Sequence, residues 1–394
     1  MCVMDPRDDV TLNAASSGSG TTSATTVLEE QESAPVAQRP AWLRVLRWPY
    51  TFLVTFSVAV GGFTIWASYY LDLPLRDPEG FLGPAYVRLP ALGLLFIAGG
   101  LAAQSFLQTK SVRGLWSRGV TIVRTEWSWG RLAHAAIGLI CFYVTYVSYR
   151  NLKSFLPVVR EDVLHDADLM QLDRWMFFGH YPALVLHDVL GTGFIALILS
   201  TIYVSYLMLV PVSLAALLVL NRDLSLGAWY ATALSLNWIL GVASYYLIPT
   251  LGPVFANQSL FADLPSDSGV AALQRSLAHN GYDVRFDPWS SDSIYGIAGF
   301  ASLHVSVVLT ACLFFAIVGL NKWLMRTLWV YFLGTVLATV YFGWHYVADD
   351  LGGALIAVLS ILIGAAVTGN LGYRKKRKAA LAEAAEAAEA ARAS

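Results

Sequence analysis

Four stretches of this chain, Trp48 to Leu71, Leu89 to Thr109, Val189 to Asn221 and Leu351 to Tyr373, contain no Asp, Glu, Lys or Arg, and this constrains the fold more than any other feature. Each is long enough, at about 1.5 Å per helical residue, to cross a hydrocarbon core of about 30 Å. Inside hydrocarbon every backbone N–H and C=O must be satisfied, and a helix does this within one segment. The rest of the composition agrees: 13% of the residues are charged, against roughly a quarter in an ordinary soluble domain. The expected fold is all-α, a polytopic transmembrane bundle of about eight spanning helices. Apolar runs place them at 50–70, 89–109, 131–149, 191–219, 227–248, 302–320, 327–342 and 344–368.

Basic residues orient the bundle, because cytoplasmic loops are enriched in Lys and Arg. With the N-terminus inside, 18 of the 26 basic residues fall on the cytoplasmic side. The other eight, Arg76, Arg88, Arg150, Lys153, Arg160, Arg174, Arg275 and Arg285, lie in loops on the opposite side. Both termini are therefore expected in the cytoplasm and the long polar loops at 150–190 and 249–300 outside it, in an integral protein of the plasma membrane. Residues 1–40, rich in Ser, Thr and Ala, read as a disordered tail without a cleavable leader. Residues 41–129 read as a transmembrane hairpin with its cytoplasmic loop, 130–370 as the catalytic transmembrane domain, and 371–394 as a basic then Ala/Glu-rich tail.

The net charge of −1 and the lack of a concentrated basic face outside Arg374 to Lys378 exclude nucleic acid as an expected partner. That basic run follows the last apolar segment and reads as an anchor near anionic head groups. The three cysteines predict no disulfide framework. His165, His180 and His187 sit in one outer loop without tight ligand spacing, so no metal is expected. No cofactor is expected either.

Two patterns carry chemistry. In GWHYVADDLGG, Gly343 to Gly353, His345 and Asp349 stand four apart. On a helix that spacing puts both on one face, where the carboxylate holds one imidazole nitrogen and leaves the other as a nucleophile. The plainer alternative is an interfacial histidine beside an acid. In YGIAGFASLHVS, Tyr295 to Ser306, Gly296 and Gly299 precede Ser302 and His304 at the head of the sixth span. A glycine-bearing turn entering a helix offers unpaired N–H groups and a positive dipole end to an anion. Ser302 is either an anion ligand or a helix cap. The topology brings both helix starts to one membrane face, where ionisable groups tend to be functional.

These residues resemble the type 2 phosphatidic acid phosphatase superfamily, and within it the inositol phosphorylceramide synthase branch of inositol phosphotransferases. FASLHVS is similar to the second motif of that family and HYVADDLGG to its third, while Asp166 to Gly179 resembles the helix preceding the core in this branch. The resemblance covers residues 130–370. It implies that His345 forms a phosphohistidine, that Asp349 orients it, and that His304 protonates the leaving group. Lys153 and Arg160 resemble, in part, a first motif of phosphate ligands, with Glu161 where the family has proline; the alternative is a basic pair anchoring the third span. Arg285 is a further candidate phosphate ligand by its place before the His304 motif. Leu303 stands where the phosphatase branch has glycine, and Thr339 where it has arginine.

The expected function is therefore transfer of a phosphate-bearing head group, phosphoinositol by that resemblance, between a lipid and an alcohol acceptor. The expected donor is a phospholipid or polyprenyl-type lipid phosphate. Water as acceptor would make the chain a lipid phosphate or pyrophosphate phosphatase. A proton-coupled transporter is the remaining alternative, disfavoured because transporters place ionisable groups near the bilayer midplane whereas these lie at helix ends.

Overall fold

The computed structural model describes residues 48–77, 79–80, 83–109, 115–126, 128–160, 163–221, 223–286, 288–289 and 294–393. The tail at 1–40 lies outside the described residues.

Helices α1 (Thr51–Leu71) and α2 (Ala85–Thr109) are joined through a short antiparallel pair, β1 (Glu79–Gly80) and β2 (Gly83–Pro84). Then come α3 (Leu115–Glu126), α4 (Trp129–Val159), two short helices α5 (Asp166–Met176) and α6 (Pro182–Leu190), α7 (Phe194–Leu220) and α8 (Leu224–Leu247). The next connection holds α9 (Pro253–Ala256), a 3-10 turn and α10 (Gly269–Phe286). Helices α11 (Leu303–Val318), α12 (Lys322–Tyr341), α13 (Val347–Val367) and α14 (Tyr373–Ala393) complete the chain.

All eight expected spans are helices, but they are not equally membrane-like. Among the described residues, five helices are long and apolar enough to cross a bilayer: α1, α4, α8, α12 and α13. A sixth, α7, qualifies if its halves, bent by 44°, count as one span. Pro211 sits in that helix, where it removes an N–H from the ladder and crowds the preceding turn, an ordinary cause of a kink. Helix α11 has only 16 residues.

Helix α8 is the centre of the bundle. Of its most apolar stretch 83% is buried, against 22% for α1. It packs against α4 and α13, and α13 packs in turn on α11. Apolar contact gives no net preference between helix and lipid, so polar and aromatic groups supply specific joints. Asn237 of α8 donates to Thr310 of α11 at 3.0 Å and accepts from Ser306. Trp229 donates its indole N–H to the Ile361 carbonyl of α13 at 2.9 Å. Gly353 in the first turns of α13 faces the Ser302 carbonyl so closely that any Cβ would overlap it. The missing side chain lets the heads of α11 and α13 meet.

Two boundaries differ from expectation and both matter to the site. The third span does not stop at 149 but continues as α4 to Val159. Arg150 and Lys153 therefore project from a helix; they face a cavity inside the protein, and so their charges did not end the helix. The last helix starts not at 344 but at Val347, with Tyr346 as its N-cap, so His345 belongs to the turn after α12.

Candidate active site

The head of α11, the turn before α13, and parts of α4, α7, α8 and α10 line a cavity of about 340 Å³. His304 and His345 lie on its wall, their ring centroids 5.9 Å apart. Arg150 and Lys153 line it from α4, one helical turn apart on the same face. Lys153 is buried, its ammonium 5.1 Å from the centre of the Tyr245 ring. Below the cations the walls are aromatic, with Phe142, Tyr146 and Tyr149 from α4 and Trp238 from α8.

His304 is held by stacking. Tyr203 lies against it at 4.3 Å and 21°, Tyr206 approaches from α7 at 4.3 Å, and Trp344 continues the stack on Tyr203 at 5.1 Å. Two tyrosine rings, one of them backed by Trp344, thus hold the plane of the imidazole.

His345 is held by its turn. Its own N–H and that of Trp344 both donate to the Thr339 carbonyl, at 3.3 and 2.9 Å. Asp349 reaches back over the helix head: its Oδ2 accepts from the Tyr346 N–H at 2.9 Å and lies 3.4 Å from His345 Nδ1. Sequence spacing anticipated this pairing but gave it the wrong cause. The two residues do not share a helical face; they meet because Asp349, fully buried, caps the helix that His345 precedes. Nδ1 itself makes no hydrogen bond at that distance and angle.

The other expected ligands divide. Lys153 lines the cavity, whereas Arg160, at the C-cap of α4, and Arg285, at the end of α10, are not among its lining residues. Ser302 is the N-cap of α11, its hydroxyl accepting from the Val305 N–H. The glycine turn offers fewer anion-binding groups than its sequence implies. Gly299 and Phe300 donate their N–H groups to Thr250, Ala301 to Ser244, and Ser302 to the Asp349 carbonyl. The turn is a brace tying α8, α11 and α13 together. His187 is likewise structural, with Nε2 on the Tyr341 carbonyl at 2.8 Å and Nδ1 3.0 Å from Asp263.

Sequence reasoning missed Arg150, Asp350, Asp166 and Asp173. Arg150 precedes Lys153 by three residues, a signal readable only if the helix is known to continue. Asp350 is buried and accepts from Thr339 Oγ1 at 2.9 Å, so the threonine that stands in place of an arginine anchors a carboxylate behind His345. Asp166 accepts from the N–H groups of Leu251 and Gly252 and from the Tyr346 hydroxyl, the last two at 2.9 and 3.0 Å. Asp173 accepts from the Val347 N–H at 3.0 Å. Both sit on α5, two turns apart, in the segment singled out as Asp166 to Gly179.

No curated protein and no solved structure matches this chain. A family profile, described as PAP2 superfamily, matches residues 167–363. That is half of the 394 residues, and it takes in α5, both histidine turns and most of α13. The matched half includes both histidines on the cavity wall, and the chain belongs to the PAP2 superfamily.

Proposed function

We propose that this protein is a membrane phosphotransferase that moves a phosphate-bearing head group from a lipid to an alcohol acceptor through a phosphohistidine on His345. Membership of the superfamily carries the coarser statement, phosphatase-type or phosphotransferase-type chemistry on lipid phosphates. The observation that carries the finer reading is the pair of imidazoles 5.9 Å apart at the cationic end of a cavity whose other walls are aromatic. The two imidazoles would flank a phosphate held by the cations, and the aromatic walls suit the first carbons of its lipid.

In the first step His345 Nε2, the nitrogen away from Asp349, attacks phosphorus. The bond from phosphorus to the leaving oxygen breaks, and the His304 imidazolium gives that oxygen its proton. Asp349 stabilises the charge that forms on the His345 ring. Arg150 and Lys153 hold the nonbridging oxygens, the arginine as a planar fork and the lysine as a point charge. In the second step the acceptor hydroxyl gives its proton to neutral His304 and attacks phosphorus, and the N–P bond breaks. An alcohol makes a new ester; water would make a free phosphate.

Two departures from the phosphatase pattern favour the alcohol. Leu303 stands where glycine would be, and Thr339 stands where an arginine would reach the phosphate. The measurement uses purified protein in nanodiscs, a lipid phosphodiester donor and tritiated inositol. The expected result is label in a new phosphodiester, with formation dependent on inositol concentration. Release of inorganic phosphate from a lipid phosphate at a rate untouched by inositol, with no labelled diester, would assign the hydrolase reading.

The cavity end with the histidines is read as extracytoplasmic, since the basic residues favour the other face by 18 to eight. A cysteine in place of exposed Ser266, just before α10, should react with an impermeant maleimide in intact cells. Cys141 and Cys312 are buried, and Cys2 is replaced by Ser in the background so that the introduced thiol alone reports. Reaction only after lysis inverts the orientation.

A further inference from the structure

His345 borders a second, much smaller space on the side away from the large cavity. It has a volume of about 20 Å³ and is walled by Asp173, Tyr181, Asn257, Phe261, Val340 and His345, among others. Two buried polar atoms on those two walls lack hydrogen-bond partners: Asp173 Oδ1 and His345 Nδ1. Asp173 is 4% exposed and His345 5%. A buried carboxylate oxygen and a buried imidazole nitrogen left unpaired both carry a desolvation penalty that a hydrogen-bond partner would relieve. A single water needs about 10–15 Å³ and two to four polar neighbours, which this space supplies.

We propose that this space is a built water site, and that its water links His345 Nδ1 to Asp173 Oδ1, making Asp173 a positioning residue for the nucleophilic histidine. The inference rests on the reading of His345 as nucleophile. Nδ1–H donates to the water oxygen and the water donates to the carboxylate, which holds the tautomer that leaves Nε2 with its lone pair. Asp349 Oδ2 stands 3.4 Å from Nδ1 as a charge without forming a hydrogen bond to it. Asp349 supplies charge and the water supplies the hydrogen bond. Asp173 also accepts from the Val347 N–H through its other oxygen, so one short helix outside the bundle core sets both the ring and the helix head.

The carboxylate is tuned for visible titration. Burial raises Asp173 to about 6, against the lowering effect of the Val347 and Ala348 N–H groups. The titratable groups facing it are His345, Tyr346 and Asp349 from the α13 side and Tyr181 from the turn before α6. Segment 253–261 contributes Asn257 but no charge, and α12 contributes Val340. The acceptor is ionised above about pH 6 and is lost as pH falls through that value.

The test measures turnover of p-nitrophenyl phosphate by the full-length protein in nanodiscs across pH, with melting temperatures in parallel. Asp173→Asn keeps an oxygen for the Val347 N–H but loses the charge on the water. It should lower kcat about 10-fold to 100-fold, the usual loss when an orienting partner is removed, with KM within about twofold and the acidic limb near pH 6 flattened. Asn257→Leu fills the space from the opposite wall without touching α5, and should give a similar loss in kcat at an unchanged melting temperature. Asp166→Asn removes a charge from the same helix away from the small space. It should lower the melting temperature and keep the wild-type acidic limb.

Wild-type kcat and acidic limb in either Asp173→Asn or Asn257→Leu overturns the proposal. So does an Asp166→Asn variant that reproduces the Asp173→Asn profile, since the effect would then be a loosened helix. His345→Ala in the same assay tests the underlying reading separately. Full turnover in that variant removes His345 as nucleophile, whatever the other variants do.

Discussion

His345→Ala is expected to carry no phosphate after incubation with any donor, and its turnover to fall on the order of 10⁶-fold, the scale on which loss of a covalent nucleophile is felt. In the proposed mechanism the imidazole supplies the nitrogen of the N–P bond. His304 is packed against Tyr203 and Tyr206, with its ring centroid 5.9 Å from that of His345. The measurement is acid-labile, base-stable radiolabel on the protein after a rapid quench. Asp349→Asn should fall between this variant and the wild type, because the amide preserves the cap on the Tyr346 N–H but no longer stabilises the imidazolium. Label that survives in His345→Ala and vanishes in His304→Ala would exchange the two roles.

His304→Ala should behave differently with different donors. Its proposed task is to protonate the departing oxygen, which matters most when that oxygen belongs to a lipid alcohol and least when it belongs to a nitrophenol. With a natural lipid donor the loss should be about 10²-fold to 10⁴-fold, the usual worth of general acid catalysis. With p-nitrophenyl phosphate the phosphoenzyme should still form at a rate much closer to wild type. Equal losses with both donors would mean that His304 serves to place the substrate and does not transfer a proton.

The sequence carried the bundle and the two histidine turns for a physical reason: charge-free runs and ionisable groups at their ends are local signals. It misjudged where helices end when the ending depends on a distant partner. Arg150 and Lys153 look like loop residues until α7 and α8 are placed opposite them, and only then does a cation inside a helix become reasonable. His345 and Asp349 were paired by arithmetic, whereas the fold pairs them through a capped turn. Gly296 and Gly299 read as an anion cradle because the partners of that turn, Thr250 and Ser244, lie some fifty residues upstream. Asp166 and Asp173 stood in a recognisable segment, but nothing in the spacing of α5 says that its acids reach Leu251, Tyr346 and Val347. Long-range hydrogen bonds of buried carboxylates have no sequence period.

On the proposed reading, with the histidine end of the bundle outside the cytoplasm, the shortness of α11 would set the depth at which the reaction takes place. A helix of 16 residues rises about 24 Å, less than the hydrocarbon thickness of about 30 Å. If its cytoplasmic end is level with the lipid carbonyls there, its head and His304 lie beneath the plane of the head groups on the other side. A lipid phosphate at its resting height would stand above the two imidazoles. The lipid must sink by several ångströms, or the leaflet must thin around the protein, before attack can occur. Bilayer thickness then enters the rate as a mechanical variable, and membranes made of shorter chains should bring substrate and histidines to the same level.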